Sequence, residues 1–166
     1  MRNHLPLVLL TFCALAFSGC AARIGTSPKG LELPIEKAAI QLSRQVMEGG
    51  YQLITAEELA KRLENRQEMT VIDTMPPASF QKARIAGAVN CPAPKQERDL
   101  TPAVKDALLH AAGPEKGRTL VVYCGFVACG RSHVGAKVLV ENGYSDVYRF
   151  PAGIVGWQEG GFPLAK

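Results

Sequence analysis

The chain has 166 residues, 47% hydrophobic and 20% charged, the balance of an ordinary globular protein with room for one core and little more. Its formal charge of +4 comes from 19 Lys and Arg set against 15 Asp and Glu, interspersed as in Glu57-Glu58-Leu59-Ala60-Lys61-Arg62. No basic stripe carries interleaved aromatics, and aromatics are only 7% of the chain, so nucleic acid is set aside as a partner.

Arg2 precedes an apolar run from Leu5 to Phe17, too short to span a bilayer comfortably, and small residues follow it, Ser18-Gly19-Cys20. This is the pattern of a secretory signal. Its end, Phe17-Ser18-Gly19-Cys20, resembles a bacterial lipoprotein cleavage box, although Phe17 stands where Leu is usual. The resemblance implies a signal over residues 1–19, lipidation of Cys20, and attachment to a membrane of the cell envelope. Ala21 at the next position implies the outer membrane where the host has two. Residues 20–30, rich in Gly, Ser and Pro, read as a tether.

Of the five cysteines, Cys13 leaves with the signal and Cys20 is the lipid site, so Cys91, Cys124 and Cys129 remain. Outside the cytoplasm disulfides persist, and an odd number leaves at least one thiol unpaired within the chain.

Ile35, Ala38, Ala39, Leu42 and Val46 follow helical spacing until Gly49-Gly50, which predicts an amphipathic helix within residues 31–50. The domain proper is expected over 51–166. Tyr51–Ile54 is a short strand. Thr55-Ala56-Glu57-Glu58 is a capping-box pattern opening a helix to about Asn65. Thr70–Thr74 is an apolar strand, and Ile85–Asn90 a further extended segment. Thr101-Pro102 starts a helix that ends near Ala112, before Gly113-Pro114. Leu120–Tyr123 is wholly apolar, as in a buried parallel strand. A helix runs from Ser132 to Asn142 and stops at Gly143. Asp146–Phe150 is the last strand, and Ile154, Val155 and Trp157 suggest a closing helix. Strands alternating with helices imply an α/β fold, a central parallel sheet with helices on both faces. In such sheets ligands bind beyond the carboxyl ends of the strands, and Cys124 sits at one.

The loop Cys124-Gly125-Phe126-Val127-Ala128-Cys129-Gly130-Arg131-Ser132 joins that strand to a helix N-terminus. Such a loop can turn several backbone N–H groups toward one point and hold an anion there. A thiolate at that point is stabilised and becomes a nucleophile. Gly125 and Gly130 permit the curl, and Arg131 offers a planar fork of donors for an oxyanion. The same residues fit a buried strand-end cysteine, a structural disulfide, or an arginine that only caps the helix or pairs with a carboxylate such as Glu141.

From about Tyr51 to Leu164 the chain resembles rhodanese-like domains. Val71-Ile72-Asp73-Thr74 resembles the family's strand ending in Asp. Phe80–Asn90 resembles its Gly-His-Ile-Pro-Gly-Ala segment. Leu120–Cys124 with Arg131-Ser132 resembles its active-site strand and loop. Gly143-Tyr144, Gly153–Trp157 and Gly161-Phe162-Pro163 resemble its C-terminal signature. There are departures. The Arg that usually follows the strand's Asp is absent from Asp73-Thr74-Met75, the segment's His is Arg84, and Arg131 lies two residues farther from Cys124 than in the common loop. The loop resembles a variant with two cysteines separated by four residues, and its length leaves the substrate open.

The resemblance implies sulfur transfer without a cofactor. Cys124 would take a sulfane sulfur from a donor such as thiosulfate or a persulfide and pass it to a thiol. Cys129 would be a resolving thiol. The amides of Gly125, Phe126, Val127, Ala128, Gly130 and Ser132, with Arg131, would hold the persulfide and the donor's anionic group, and Asp73 would organise the surroundings. Cys91 and Trp157 are expected in the core, and His133 and His110 on helix surfaces. No His/Cys cluster has zinc spacing. Two alternatives stay open: a thiol–disulfide module built on Cys124 and Cys129, and a binding domain without catalysis. A cysteine phosphatase shares the Cys-loop-Arg arrangement, but Tyr123 stands where phosphatases place His.

Overall fold

The structure is a computed structural model that describes residues 31–166; the expected signal, Cys20 and the tether lie outside the described residues. Helix α1 (Glu32–Gly49) comes first, with its Val46 packed on the core and most of its length exposed. The chain then follows β1 (Gln52–Leu53), α2 (Ala56–Glu64), β2 (Thr70–Asp73), α3 (Pro77–Lys82), β3 (Arg84–Ile85) and β4 (Val89–Asn90). After a 3₁₀ turn at Glu97–Asp99 come α4 (Pro102–Ala112), β5 (Leu120–Tyr123), α5 (Arg131–Glu141), β6 (Val147–Phe150), α6 (Gly153–Glu159) and β7 (Leu164–Ala165).

Local chemistry sets the boundaries. The Thr55 hydroxyl accepts from the Glu58 amide at the start of α2, and Thr101 accepts from Val104 at the start of α4. Only half of the expected box forms, because the Glu58 carboxylate accepts from Arg62 one turn on, at 2.5 Å. Gly113 and Gly143 end their helices at φ +79° and +85°, where a side chain would be strained.

Five parallel strands form the central sheet in the order β1-β6-β5-β2-β4. Leu120 and Val122 of β5 point into a core shared with α1, α4 and α5, whereas Val121 and Tyr123 point into one shared with Trp157 of α6 and Leu59 of α2. All four residues are fully buried, because β5 is central and covered on both faces.

The expected extended segment Ile85–Asn90 divides. Gly87 turns the chain at φ +78°, so Arg84–Ile85 pairs antiparallel with β7 while Val89–Asn90 joins the main sheet beside β2. Neither α3 nor β7 was expected. Helix α3 starts at Pro77 and has no buried residue, so no apolar periodicity marks it.

Candidate active site

The carboxyl ends of β2, β5 and β6 lie side by side, with Asp73 opposite Tyr123 and Tyr123 opposite Phe150. Cys124 leaves β5 at that edge and is completely buried, whereas Cys129 is partly exposed. The loop between them is held by its carbonyls. Cys124 and Gly125 carbonyls accept from the amides of Ile154 and Val155 in α6, at 2.9 and 3.0 Å. Val127 and Cys129 carbonyls each accept from the Arg149 guanidinium at 3.2 Å. With those carbonyls held from outside, amides face inward: Gly125 and Arg131 donate toward the Cys129 sulfur, and Ser132 toward that of Cys124. Gly130 packs where a Cβ would lie 2.2 Å from the Lys95 carbonyl.

The two sulfurs share one proton. The Cys124 thiol beside it, reinforced by the Arg131 and Gly125 amides and the Arg131 charge, brings the Cys129 thiol down to about 5. Cys124 is pushed up, first by facing the Cys129 sulfur and then by burial. The two thiols therefore titrate together, with the acidic step drawn toward the more exposed Cys129. Cys129 also lines an open cavity of about 460 Å³ with Gln41 and Gln45 of α1 and with Lys95, Gln96 and Phe126; no acidic residue lines it.

Arg149 is fully buried and was missed from the sequence. Besides the two loop carbonyls it donates to Ser132 Oγ at 3.0 Å, Gln45 Oε1 at 2.6 Å and Tyr51 Oη at 3.2 Å. Tyr51 and His133 Nδ1 lie 2.8 Å apart, and His133 Nε2 lies 3.1 Å from Glu97. The Tyr51 oxygen accepts from Arg149, so its own proton goes to Nδ1 and the histidine proton sits on Nε2. His133 is thus buried within this network rather than exposed as expected, with 6% of its surface accessible; His110 is exposed as expected. One signal could have revealed Arg149: a charged residue between Val147 and Phe150, at the end of a strand that must pack beside the apolar β5.

The remaining residues are placed as follows. The Arg131 side chain donates to the Ala93 carbonyl, so its fork is partly engaged by backbone. Phe126 is exposed at the loop's tip, with 54% of its surface accessible. Asp73 is fully buried, one oxygen accepting from Met75 N at 2.7 Å and the other beside the Tyr123 hydroxyl; burial pushes its carboxyl up. Cys91 is a buried thiol and Trp157 a core residue. Among the described residues no three His, Cys, Asp or Glu side chains gather to hold a metal ion.

Comparison with known proteins agrees with this layout. Residues 55–160 match the rhodanese-like domain family. The chain belongs to that family. A sulfurtransferase of Allochromatium vinosum is 27% identical over 111 residues, covering 67% of this chain and 92% of the relative. Among solved structures, the thiosulfate sulfurtransferase of Pseudomonas aeruginosa superposes with a TM-score of 0.61 at 21% identity, over 77% of this chain and 22% of that one. The polysulfide-sulfur transferase homodimer of Wolinella succinogenes gives 0.56 at 17% identity, over 85% and 93%. The rhodanese-like match begins at Thr55, so α1 and Tyr51, which supply two of the Arg149 partners, lie outside it.

Proposed function

We propose that this rhodanese-like protein is an exported, lipid-anchored sulfurtransferase that carries sulfane sulfur as a persulfide on its cysteine pair. The observation that carries the reading is the Cys129 sulfur: partly exposed, faced by the Gly125 and Arg131 amides, and lining a cavity with no acidic wall. With thiosulfate as donor, the Cys129 thiolate attacks the outer sulfur. The S–S bond breaks, sulfite leaves with the electron pair, and Cys129 is left as a persulfide. An acceptor thiolate then attacks the terminal sulfur, takes it as its own persulfide, and restores the Cys129 thiolate. If Cys124 instead attacks the inner sulfur, hydrosulfide leaves and a Cys124–Cys129 disulfide remains, which silences the site until it is reduced. The reading gives first attack to Cys129, where the family resemblance points to Cys124; the complete burial of Cys124 beside a partly exposed Cys129 is the reason.

The test is the intact mass of the purified domain after thiosulfate treatment, for the wild type, Cys124→Ser and Cys129→Ser. The wild type and Cys124→Ser should gain one sulfur and Cys129→Ser none. The opposite pattern would return the persulfide to Cys124. A loss of two hydrogens without any sulfur gain would favour the thiol–disulfide module, and no change in mass a binding domain.

A further inference from the structure

The network behind the loop has a direction and an unbalanced charge. A guanidinium can only donate, so Ser132 Oγ accepts from Arg149 Nε at 3.0 Å and keeps its own proton available for Cys124 Sγ, 3.2 Å away. The Cys124 thiol in turn has the Cys129 and Phe126 carbonyls as acceptors, at 3.4 and 3.8 Å. The path Arg149–Ser132–Cys124 thus ends on the loop that carries Cys129.

Arg149 is 0% accessible, and its side-chain partners are Ser132, Gln45 and Tyr51, all neutral; its other two are carbonyls. Taking such an ion out of water costs several kcal/mol unless an opposite charge compensates it. Of the groups packed around it, Glu97 is taken by His133 and Lys137, Glu48 lies on α1 without a bond to the guanidinium, and Asp73 bonds Met75 beside Tyr123. Arg131, the other nearby cation, donates to Ala93 and sets its charge beside Cys129 at the loop's end, whereas Arg149 holds the loop carbonyls. Through hydrogen bonds the guanidinium reaches Glu97 by way of Tyr51 and His133, and the Cys124 sulfur by way of Ser132; only the second route enters the cysteine loop, whose Val127 and Cys129 carbonyls Arg149 also holds.

We propose that Arg149 is the resident counter-cation of the cysteine loop, a positioning residue that holds the Val127 and Cys129 carbonyls and, through Ser132, the Cys124 sulfur. The proposal rests on the sulfur-pair reading above, and it assigns a site role to α1: Gln45 takes the charge's remaining donor with a neutral oxygen, leaving the charge for the sulfurs.

The test reads the thiolate directly and needs no sulfur donor. Rates of iodoacetamide alkylation are measured against pH in the full-length protein, with peptide mapping to assign the modified cysteine. Gln45→Glu keeps an acceptor for Arg149 but adds a carboxylate that neutralises it. Gln41→Glu brings the same charge to the same cavity from a residue that is not a partner of Arg149. Gln45→Glu should raise the Cys129 midpoint by roughly one unit or more, clearly beyond Gln41→Glu, with an unchanged circular dichroism spectrum. Arg149→Met should raise it as far or further. Equal midpoints for Gln45→Glu and Gln41→Glu would overturn the proposal and leave Arg149 a brace for the loop; this holds even if Arg149→Met does not fold. A normal alkylation response beside a wild type that takes up no sulfur would instead remove the proposed function and leave this assignment standing.

Discussion

His133 shows how much one buried side chain commits the molecule to a protonation state. Its ring accepts from Tyr51 and donates to Glu97, and burial, aided by the Arg149 charge, holds its pKa below the ordinary 6.5. Protonating it would put a proton on Nδ1, which now accepts from Tyr51, and add a second cation near the buried Arg149 guanidinium. A base whose pKa is depressed by folding stabilises the fold while neutral. Its contribution is therefore complete above the unfolded value of about 6.5 and is lost as pH falls through the lower folded value. The urea midpoint of the wild type should fall as pH is lowered from 7 toward 5, and His133→Gln, which has no charge to gain, should flatten that slope whatever it does to the midpoint at pH 7. Glu97, held low by Lys137, gives way only at more acid pH and does not blur the window. An equal slope in the variant would show that His133 does not govern it. The sequence placed His133 one residue beyond the loop, but nothing local told a solvent-facing first turn from a buried one; that depended on Tyr51, 82 residues away.

At the scale of elements, α6 and the loop are built against each other. Gly153 opens α6 at φ +61°, and a Cβ there would lie 2.3 Å from the Cys124 carbonyl and 2.8 Å from the Gly125 carbonyl carbon. The next two amides are those that hold the loop carbonyls. Gly87 has a similar φ of +78°, but open space around it. The two positions separate strain from collision. Gly87→Ala should cost about 1 kcal/mol of backbone strain. Gly153→Ala should cost at least about 2 kcal/mol more and should also disturb Cys124 and Cys129 alkylation, which Gly87→Ala leaves alone. Equal losses in urea unfolding would mean that α6 yields easily and does not fix the loop. Elements that repeat an apolar pattern or carry a cap were legible: α2, α4, β5 and α5 match expectation to within a residue or so. Those defined by partners were not. Strand β7 is two residues long and exists only because β3 pairs with it. Cys124 and Cys129 could be read as a pair, but their different burial and the amides that face them depend on a loop whose carbonyls are held by α6 and by Arg149 of the folded sheet.

For the whole molecule, what remains is where the domain works. No helix among the described residues is long and apolar enough to cross a membrane; the proposed attachment rests on residues 1–30. There the apolar run Leu5–Phe17 closes on Ser18-Gly19-Cys20. A single acyl chain holds a protein only marginally, whereas chains on both the sulfur and the amine of one cysteine give stable attachment. The wild type should therefore sediment with membranes and stay there in high salt, which would strip a protein bound by surface charge alone. Cys20→Ser should appear in the soluble fraction and lack the mass of the lipid. Sulfur uptake by the soluble variant should equal that of the anchored protein, because Cys20 lies outside the matched domain at 55–160. Retention of Cys20→Ser in the membrane pellet would remove the lipid anchor. The cysteine chemistry would then have to be considered for a compartment where thiols are kept reduced, and there the Cys124–Cys129 disulfide would be a transient of turnover rather than a resting state.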